Sequence, residues 1–422
     1  MPGLILAAPA SGSGKTTVTL GLLRALKRRG TAVRGAKSGP DYIDPRFHEA
    51  ACGAPCVNLD AWAMSPARLR ALAAIQGLLL VEGAMGLFDG APPDGRGATA
   101  DLARLLDLPV VLIVDAGRIA QSIAPLVRGF ARHDSDVAVA GVILNRVGSA
   151  RHESMLRTAI APVGLPVLGA LPRQSGLEHP SRHLGLVQAQ EHPDLDGFLD
   201  RAADAAEAAI DIDALVSLAR PLPDARAVRG LPPPAQTIAI AQDEAFAFAY
   251  PHLLADWHAA GAELRFFSPM ADQPVPGAQM VFLPGGYPEL HAARLASSSR
   301  FMQSLRKVSE DTDIYGECGG YMVLGEALTD AGGMRYPMAG LLPLETSFAA
   351  GKLHLGYRRL TPLGGPFTGP LNGHEFHYAT TIRAGGAPLF EASDAEGRVV
   401  PPMGLRQGRV SGSFAHIIDR AE

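Results

Sequence analysis

At 422 residues the chain exceeds one ordinary core, so two or three domains are expected. Hydrophobic content of 47% against 19% charged excludes a disordered chain, and a net charge of −4 argues against a nucleic-acid partner, which would require a basic patch. The three cysteines, Cys52, Cys56 and Cys318, form no disulfide framework and point to a reducing compartment. No apolar run approaches the roughly 20 residues of a membrane span, and no charged-then-apolar leader precedes the first strand; no membrane association and a cytoplasmic location are expected.

The first candidate strand, Leu4–Ala8, runs into a loop of small residues and then into a helical pattern over Lys15–Arg29. Strand, glycine-rich turn, Lys-Thr and helix N-terminus together make a phosphate cradle. Gly12, Ser13 and Gly14 bring backbone close to an anion, Lys15 reaches the outer phosphates, Thr16 offers a hydroxyl to a nucleotide-bound Mg²⁺, and Thr17 continues the helix start. Pro9 stands where the usual G-x-x-x-x-G-K-[ST] pattern has its first glycine. An ordinary strand-to-helix turn that happens to contain GSGKT is the plainer alternative, and the context of strand before and helix after favours the nucleotide site.

Further strands are expected at Ala32–Ala36, Leu78–Val81, Val110–Asp115, Val137–Leu144 and Val167–Ala170, with helical patterns over Thr99–Leu106, Ser122–Phe130 and Arg151–Ala161. This alternation implies a mostly parallel sheet covered on both faces, with ligands at the carboxyl ends of its strands. Asp41 and Asp44 in KSGPDYIDP, Glu82 after the LLLV strand, and Asp89 in VEGAMGLFDG are the acidic candidates there. Taken singly each could be a solvated turn; Glu82 is the stronger, because Gly83 and Gly86 permit close approach of a ligand. Of only five lysines in the chain, Lys15 and Lys37 fall near strand ends in this region, and Lys37 is a candidate clamp for a carboxylate or a phosphoryl group.

An alanine-rich helical stretch, Asp196–Leu218, leads into the prolines Pro221, Pro223, Pro232, Pro233 and Pro234, read as an extended linker. The expected division is 1–220, a linker at 221–236, and 237–422. A second α/β pattern restarts with strands at Thr237–Ala241, Glu263–Phe267 and Met280–Leu283 and helices near Tyr250–Ala260 and Phe301–Glu310; beyond Gly340 the texture suggests antiparallel strands. Within it, Tyr315-Gly316-Glu317-Cys318-Gly319-Gly320 has the logic of a nucleophile elbow, with sulfur in place of oxygen. A helix N-terminus is expected to lower the pKa of the Cys318 thiol, and the N–H of Gly319 to stabilise an oxyanion, with a second donor from Leu283-Pro284-Gly285-Gly286-Tyr287, taken as Gly286. His416 is the candidate base, with His374 and His377 as competitors; a buried, inert Cys318 is the plainer alternative.

With these landmarks in order (APASGSGKTTVTLGLL, KSGPDYIDPRFH, VEGAMGLFDG, GVILNRV, PSRHLGLVQAQE, LPGGYPELHAARL, YGECGGYMVLGEAL, GHEFHY and SGSFAHI), the chain resembles the cobyrinic acid a,c-diamide synthase family, in particular its glutamine-hydrolysing hydrogenobyrinic acid a,c-diamide synthases. The resemblance spans essentially the whole length. It implies a P-loop, dethiobiotin-synthetase-like parallel-sheet domain followed by a class I glutamine amidotransferase α/β domain. The implied reaction converts the a and c acetate carboxylates of a corrin to amides, with ammonia from glutamine, ATP as co-substrate and Mg²⁺ as cofactor. By the same resemblance Lys15 and Thr16 match the phosphate loop, Asp41, Glu82 and Asp89 match acidic positions serving Mg²⁺ and carboxylate activation (with Asp44 assigned to activation), Asn145 lies near the nucleotide base, and Cys318 and His416 are nucleophile and base. Residue 418 is Ile where class I amidotransferases usually carry the glutamate of H-x-E, so a Cys–His dyad is implied and what orients the imidazole stays open. Free ammonia would be mostly ammonium in neutral water, so a sheltered passage is expected. The rival readings are another corrin or tetrapyrrole amidase, of the cobyric acid synthase or nickel-sirohydrochlorin type, and a non-catalytic P-loop switch of the partitioning type. A homodimer is plausible by base rate. No residue here separates a cobalt-free from a cobalt-containing corrin.

Overall fold

The computed structural model describes every residue except 75, 174–175, 178–180, 183–184 and 422, and only the backbone of 181–182 and 185–186; the landmark PSRHLGLVQAQE lies partly outside the described residues. The chain divides into two compact units, Met1–Val228 and Arg229–Glu422.

In the first unit, strands β1 (Pro2–Ala7), β2 (Val33–Ser38), β3 (Val57–Leu59), β4 (Leu78–Glu82), β5 (Val110–Asp115), β6 (Val139–Val147) and β7 (Val167–Pro172) form a parallel sheet in the order β3-β2-β4-β1-β5-β6-β7. β1 is central, and its Leu4, Ile5 and Leu6 are fully buried, as a continuous apolar run should be when helices cover both faces. Helix α1 (Lys15–Arg28) follows β1 directly. It carries Lys27 and Arg28 in its last turn and no acidic residue in its first, so the positive end of its dipole is left to face the cradle. Register does much of the site building: Lys37 of β2 pairs with Glu82 of β4, and Asp115 of β5 with Asn145 of β6.

Two expectations change here. The alanine-rich stretch is two helices, Leu195–Ala209 and Ile212–Ser217, because Ile210 takes an extended conformation and the Asp211 side chain caps a new start by accepting from Ala214 N. The proline-rich segment opens on a regular element, since Pro221 pairs antiparallel with Pro2 at the end of β1, a position where a missing N–H costs no ladder bond.

In the second unit, Thr237–Ala241, Glu263–Phe267, Met280–Leu283, Asp313–Glu317 and Val410–Ser413 form a parallel sheet, with Leu405–Gln407 added antiparallel at the edge. The antiparallel texture expected beyond Gly340 is present: a five-stranded antiparallel sheet includes His354–Pro362, Leu371–His377 and Ala415–Arg420. Among the described residues no helix is long and apolar enough to cross a membrane.

Candidate active sites

The loop after β1 is shaped by its glycines. Gly14 takes φ 87°, where an L side chain is strained, and a Cβ there would stand 2.2 Å from Asn145 Nδ2. Asn145 in turn donates to Ser13 O at 2.9 Å and accepts from Arg146 N at 2.9 Å. Asn145 thereby braces the loop from β6. Arg146, not foreseen from the sequence, donates to Gly12 O at 2.9 Å and pairs with Asp115.

Behind the loop lies a buried charge cluster. Lys37 Nζ is 2.5 Å from Asp44 Oδ2 and 2.7 Å from Glu82 Oε1. Thr16 Oγ1 donates to Glu82 Oε1 at 2.7 Å and reaches Asp44 Oδ2 at 3.4 Å. Glu82 is fully buried; burial alone would raise its pKa, but Lys37 and then the His48 hydrogen bond outweigh it and hold the carboxyl below the usual range. Lys37 keeps its charge for the complementary reason, since Asp44, Glu82 and Asp41 overcome its burial. Lys15 donates to Met85 O at 2.5 Å; burial, then the Lys37 charge, lowers its pKa, while Glu82, Asp44 and Asp89 act against the shift.

The acidic candidates separate by position. Asp44 and Glu82 meet Thr16, whereas Asp41 stands 3.9 Å from Lys37 and spends Oδ1 on the N–H groups of Ile43 and Asp44, at the turn into helix α2 (Asp44–Cys52). Asp89 accepts from Gly86 N at 2.8 Å and shapes its own turn. His48, one turn along α2 from Asp44, places Nε2 2.7 Å from Glu82 Oε2 and Nδ1 3.4 Å from Cys56 Sγ. Burial raises the Cys56 pKa, so its thiol stays protonated beside the His48 ring. An Asp and a His four apart on a helix facing the sheet would have been the sequence signal for this group. Lys15, Thr16, Thr17, Lys37, Asp44, Glu82, Asn145 and Arg146 are among the residues that line one cavity of about 1220 Å³.

In the second unit Cys318 ends the strand Asp313–Glu317 at φ 46°, ψ −102°, a strained conformation for a residue with a side chain, and a six-residue helix, Gly319–Leu324, follows. A Cβ on Gly320 would stand 1.9 Å from Leu283 O, so the elbow requires that glycine. A Cβ on Gly285 would meet His416 Cε1 at 2.2 Å, its Nε2 at 2.9 Å and Cys318 Cβ at 3.3 Å, so thiol and imidazole share one small space. Gly319 and Gly286 also lie together, an added Cβ on the former standing 3.0 Å from N of the latter.

The thiol does not follow the expectation of a lowered pKa. Burial, then the charge of Glu289, pushes it up, with Glu317 and Glu375 adding to the effect and only the Gly319 hydrogen bond opposing it; a helix of six residues is too short to reverse this. Of the competing histidines, His377 is engaged elsewhere. His377 lies against Glu375 at 3.0 Å and Ala379 O at 3.1 Å, and its ring stacks on His354 and on Phe414. His374 sits opposite His416 in the antiparallel register, its pKa pushed down to about 3 by burial and then by the His416 charge.

Residues 4–187 match the CobQ/CobB/MinD/ParA nucleotide binding domain family, and residues 237–422 match the CobB/CobQ-like glutamine amidotransferase domain family. The chain is 59% identical, over 431 aligned positions and 99% of each chain, to a hydrogenobyrinate a,c-diamide synthase of Brucella anthropi. It belongs to the hydrogenobyrinate a,c-diamide synthase family. The family member of Rhizobium meliloti is 54% identical over the whole of both chains, and that of Rhodobacter capsulatus 53% identical over 99% of this chain and 98% of the relative. The expected class, a P-loop parallel-sheet domain followed by a glutamine amidotransferase domain, is thereby borne out.

Proposed function

We propose that this chain amidates the a and c acetate carboxylates of hydrogenobyrinic acid, or of its cobalt-containing counterpart, using glutamine and ATP. The observation that carries the reading is full-length membership of the family, with a nucleotide-binding family match and a glutamine amidotransferase family match in one chain.

In the first unit, backbone N–H groups around Gly12–Gly14, the start of α1 and Lys15 would hold the ATP phosphates. A corrin carboxylate oxygen then bonds to the γ-phosphorus while the bond to ADP breaks and ADP leaves with the electron pair, giving an acyl phosphate. Lys37, with its charge maintained by Asp44 and Glu82, is the group we assign to meeting negative charge on the carboxylate or phosphoryl oxygens. The donor set suits magnesium: a hydroxyl and two carboxylates converge within 3.4 Å at Thr16, Asp44 and Glu82, all hard oxygen ligands. Those residues would hold the ion, which when bound neutralises charge on the transferring phosphoryl group. Asp44 is the nearer partner than Asp41, whose oxygen serves the turn.

In the second unit, Cys318 is the nucleophile and His416 its base. The imidazole takes the thiol proton, sulfur attacks the side-chain amide carbon of glutamine, and the imidazolium returns the proton to the departing ammonia. Water, with His416 again as base, cleaves the thioester to glutamate. Ammonia then attacks the acyl phosphate carbon, phosphate leaves and a proton is lost. A cytoplasmic setting, small-molecule substrates only and a homodimer complete the reading.

The test is mass spectrometry of each corrin incubated with the purified chain, glutamine and MgATP. Two amidations, −2 Da in all, are expected, and the better substrate of the two corrins names the metal state. An unmodified corrin in both reactions overturns the reading, and the absence of any glutamine hydrolysis would point instead to a nucleotide-dependent switch.

A further inference from the structure

We propose that Glu317 is the positioning residue of the glutaminase site, its carboxylate holding the His416 imidazole so that Nε2 faces the Cys318 thiol. This rests on the assignment of Cys318 and His416 as nucleophile and base.

Glu317 Oε2 lies 3.6 Å from His416 Nδ1, and Oε1 accepts a 3.0 Å hydrogen bond from Ile417 N, the residue after the base. The two oxygens divide the work: one fastens the carboxylate to the strand that carries the base, the other faces the ring. Both side chains are buried, Glu317 at 3% and His416 at 1% exposure, so their interaction is little screened by solvent. Cε1 and Nε2 are the ring atoms that approach Gly285, where an added Cβ would stand 2.2 and 2.9 Å from them and 3.3 Å from Cys318 Cβ. A proton on Nδ1 directed at the carboxylate leaves the Nε2 lone pair to accept the thiol proton, and the same carboxylate then stabilises the imidazolium. The separation is longer than a hydrogen bond, as catalytic contacts often are without substrate.

The topology explains why the carboxylate comes from this place. Position 418, where H-x-E would supply it, is a fully buried Ile. Glu317 pairs with Ser413 across the parallel sheet, and the chain leaves that strand at Phe414 to reach His416, so the residue just before the nucleophile comes to lie beside the base. The other titratable groups nearby are Tyr315, whose buried phenol is raised in pKa by burial and then by the Glu317 carboxylate, His374, opposite His416 in the register, and Glu289 and Glu375, which act on the thiol. His374 is held neutral by burial and adds no charge of its own near neutral pH.

Glu317→Gln separates positioning from simple anchoring, because the amide oxygen still accepts from Ile417 N while the charge is gone. In the full-length chain, kcat for glutamine hydrolysis is expected to fall on the order of 10²-fold with KM for glutamine changed by less than about two-fold. Amidation driven by ammonium chloride in the same preparation serves as the reference rate. A parent-like kcat overturns the proposal. So does a rise in KM accompanied by a lowered melting temperature, which is what a purely structural carboxylate would give. His416→Asn tells the two assignments apart: retained hydrolysis refutes the base itself, whereas a dead His416→Asn beside a fully active Glu317→Gln refutes only the positioning role.

Discussion

Glu82 has no exposed surface, yet it touches Thr16, Lys37 and His48 at once. A buried carboxylate survives in its ionised form only if its partners over-compensate desolvation, and here a lysine and an imidazole do so. Glu82→Gln is therefore expected to lower amidation at least about 100-fold with glutamine or with ammonia as nitrogen source, because the change removes charge from the proposed activating site and leaves Lys37 with one fewer partner. Parent-like turnover in the ammonia assay would place the metal and activation site elsewhere. His374 gives a pH dependence whose sign is fixed by its environment. Its folded pKa, about 3, lies below the unfolded value of 6.5, so the unfolded chain binds the extra proton between those limits. The stability contribution is complete above about pH 6.5 and is lost as pH falls toward 3, with a slope of up to about 1.4 kcal/mol per pH unit. Urea melts at pH 7 and pH 5 should show a smaller loss for His374→Gln than for the parent.

At the level of elements, the cradle depends on how tightly α1 is held. A Cβ on Gly21 of α1 would stand 2.5 Å from Ala202 O in the helix Leu195–Ala209, so the two helices approach at a point where only hydrogen fits. Arg24 and Arg28 extend the contact to Asp196, Asp200 and Asp204, pairs exposed enough to contribute little individually. Gly21→Val forces the helices apart and is expected to cost about 2–4 kcal/mol of stability. The same shift moves the Gly14–Lys15 end of the helix, so ATP affinity should fall as well. Calorimetric titration at a temperature where the variant is folded checks this, and unchanged affinity would mean that the loop is positioned independently of the helix packing.

For the whole molecule, a nucleotide-binding domain and a glutamine amidotransferase domain reside on one chain. Cys318→Ala is expected to abolish glutamine-dependent amidation while added ammonia still supports it. Loss of both activities would mean that the thiol serves something other than nitrogen supply.

The one-dimensional pattern was enough wherever a single element or a contiguous motif carried the information. Val110–Asp115, Thr237–Ala241, Glu263–Phe267 and Met280–Leu283 are strands with the expected bounds, since short apolar β-type runs admit few alternatives when buried. The Gly14-Lys15-Thr16 turn and the Cys318 elbow were legible because their chemistry is local. What the sequence left open depended on long-range pairing. The turn signals of KSGPDYIDP hid helix α2, and with it His48, whose partner is a strand residue 34 positions away. The choice of Asp44 over Asp41 as the partner of Thr16 turns on which side chain the turn consumes for its own hydrogen bonds. The thiol's environment, too, was decided by folding: a helix terminus and Glu317 are visible in the chain beside Cys318, but burial and the carboxylates of Glu289 and Glu375 come from tertiary packing, and burial outweighs the terminus.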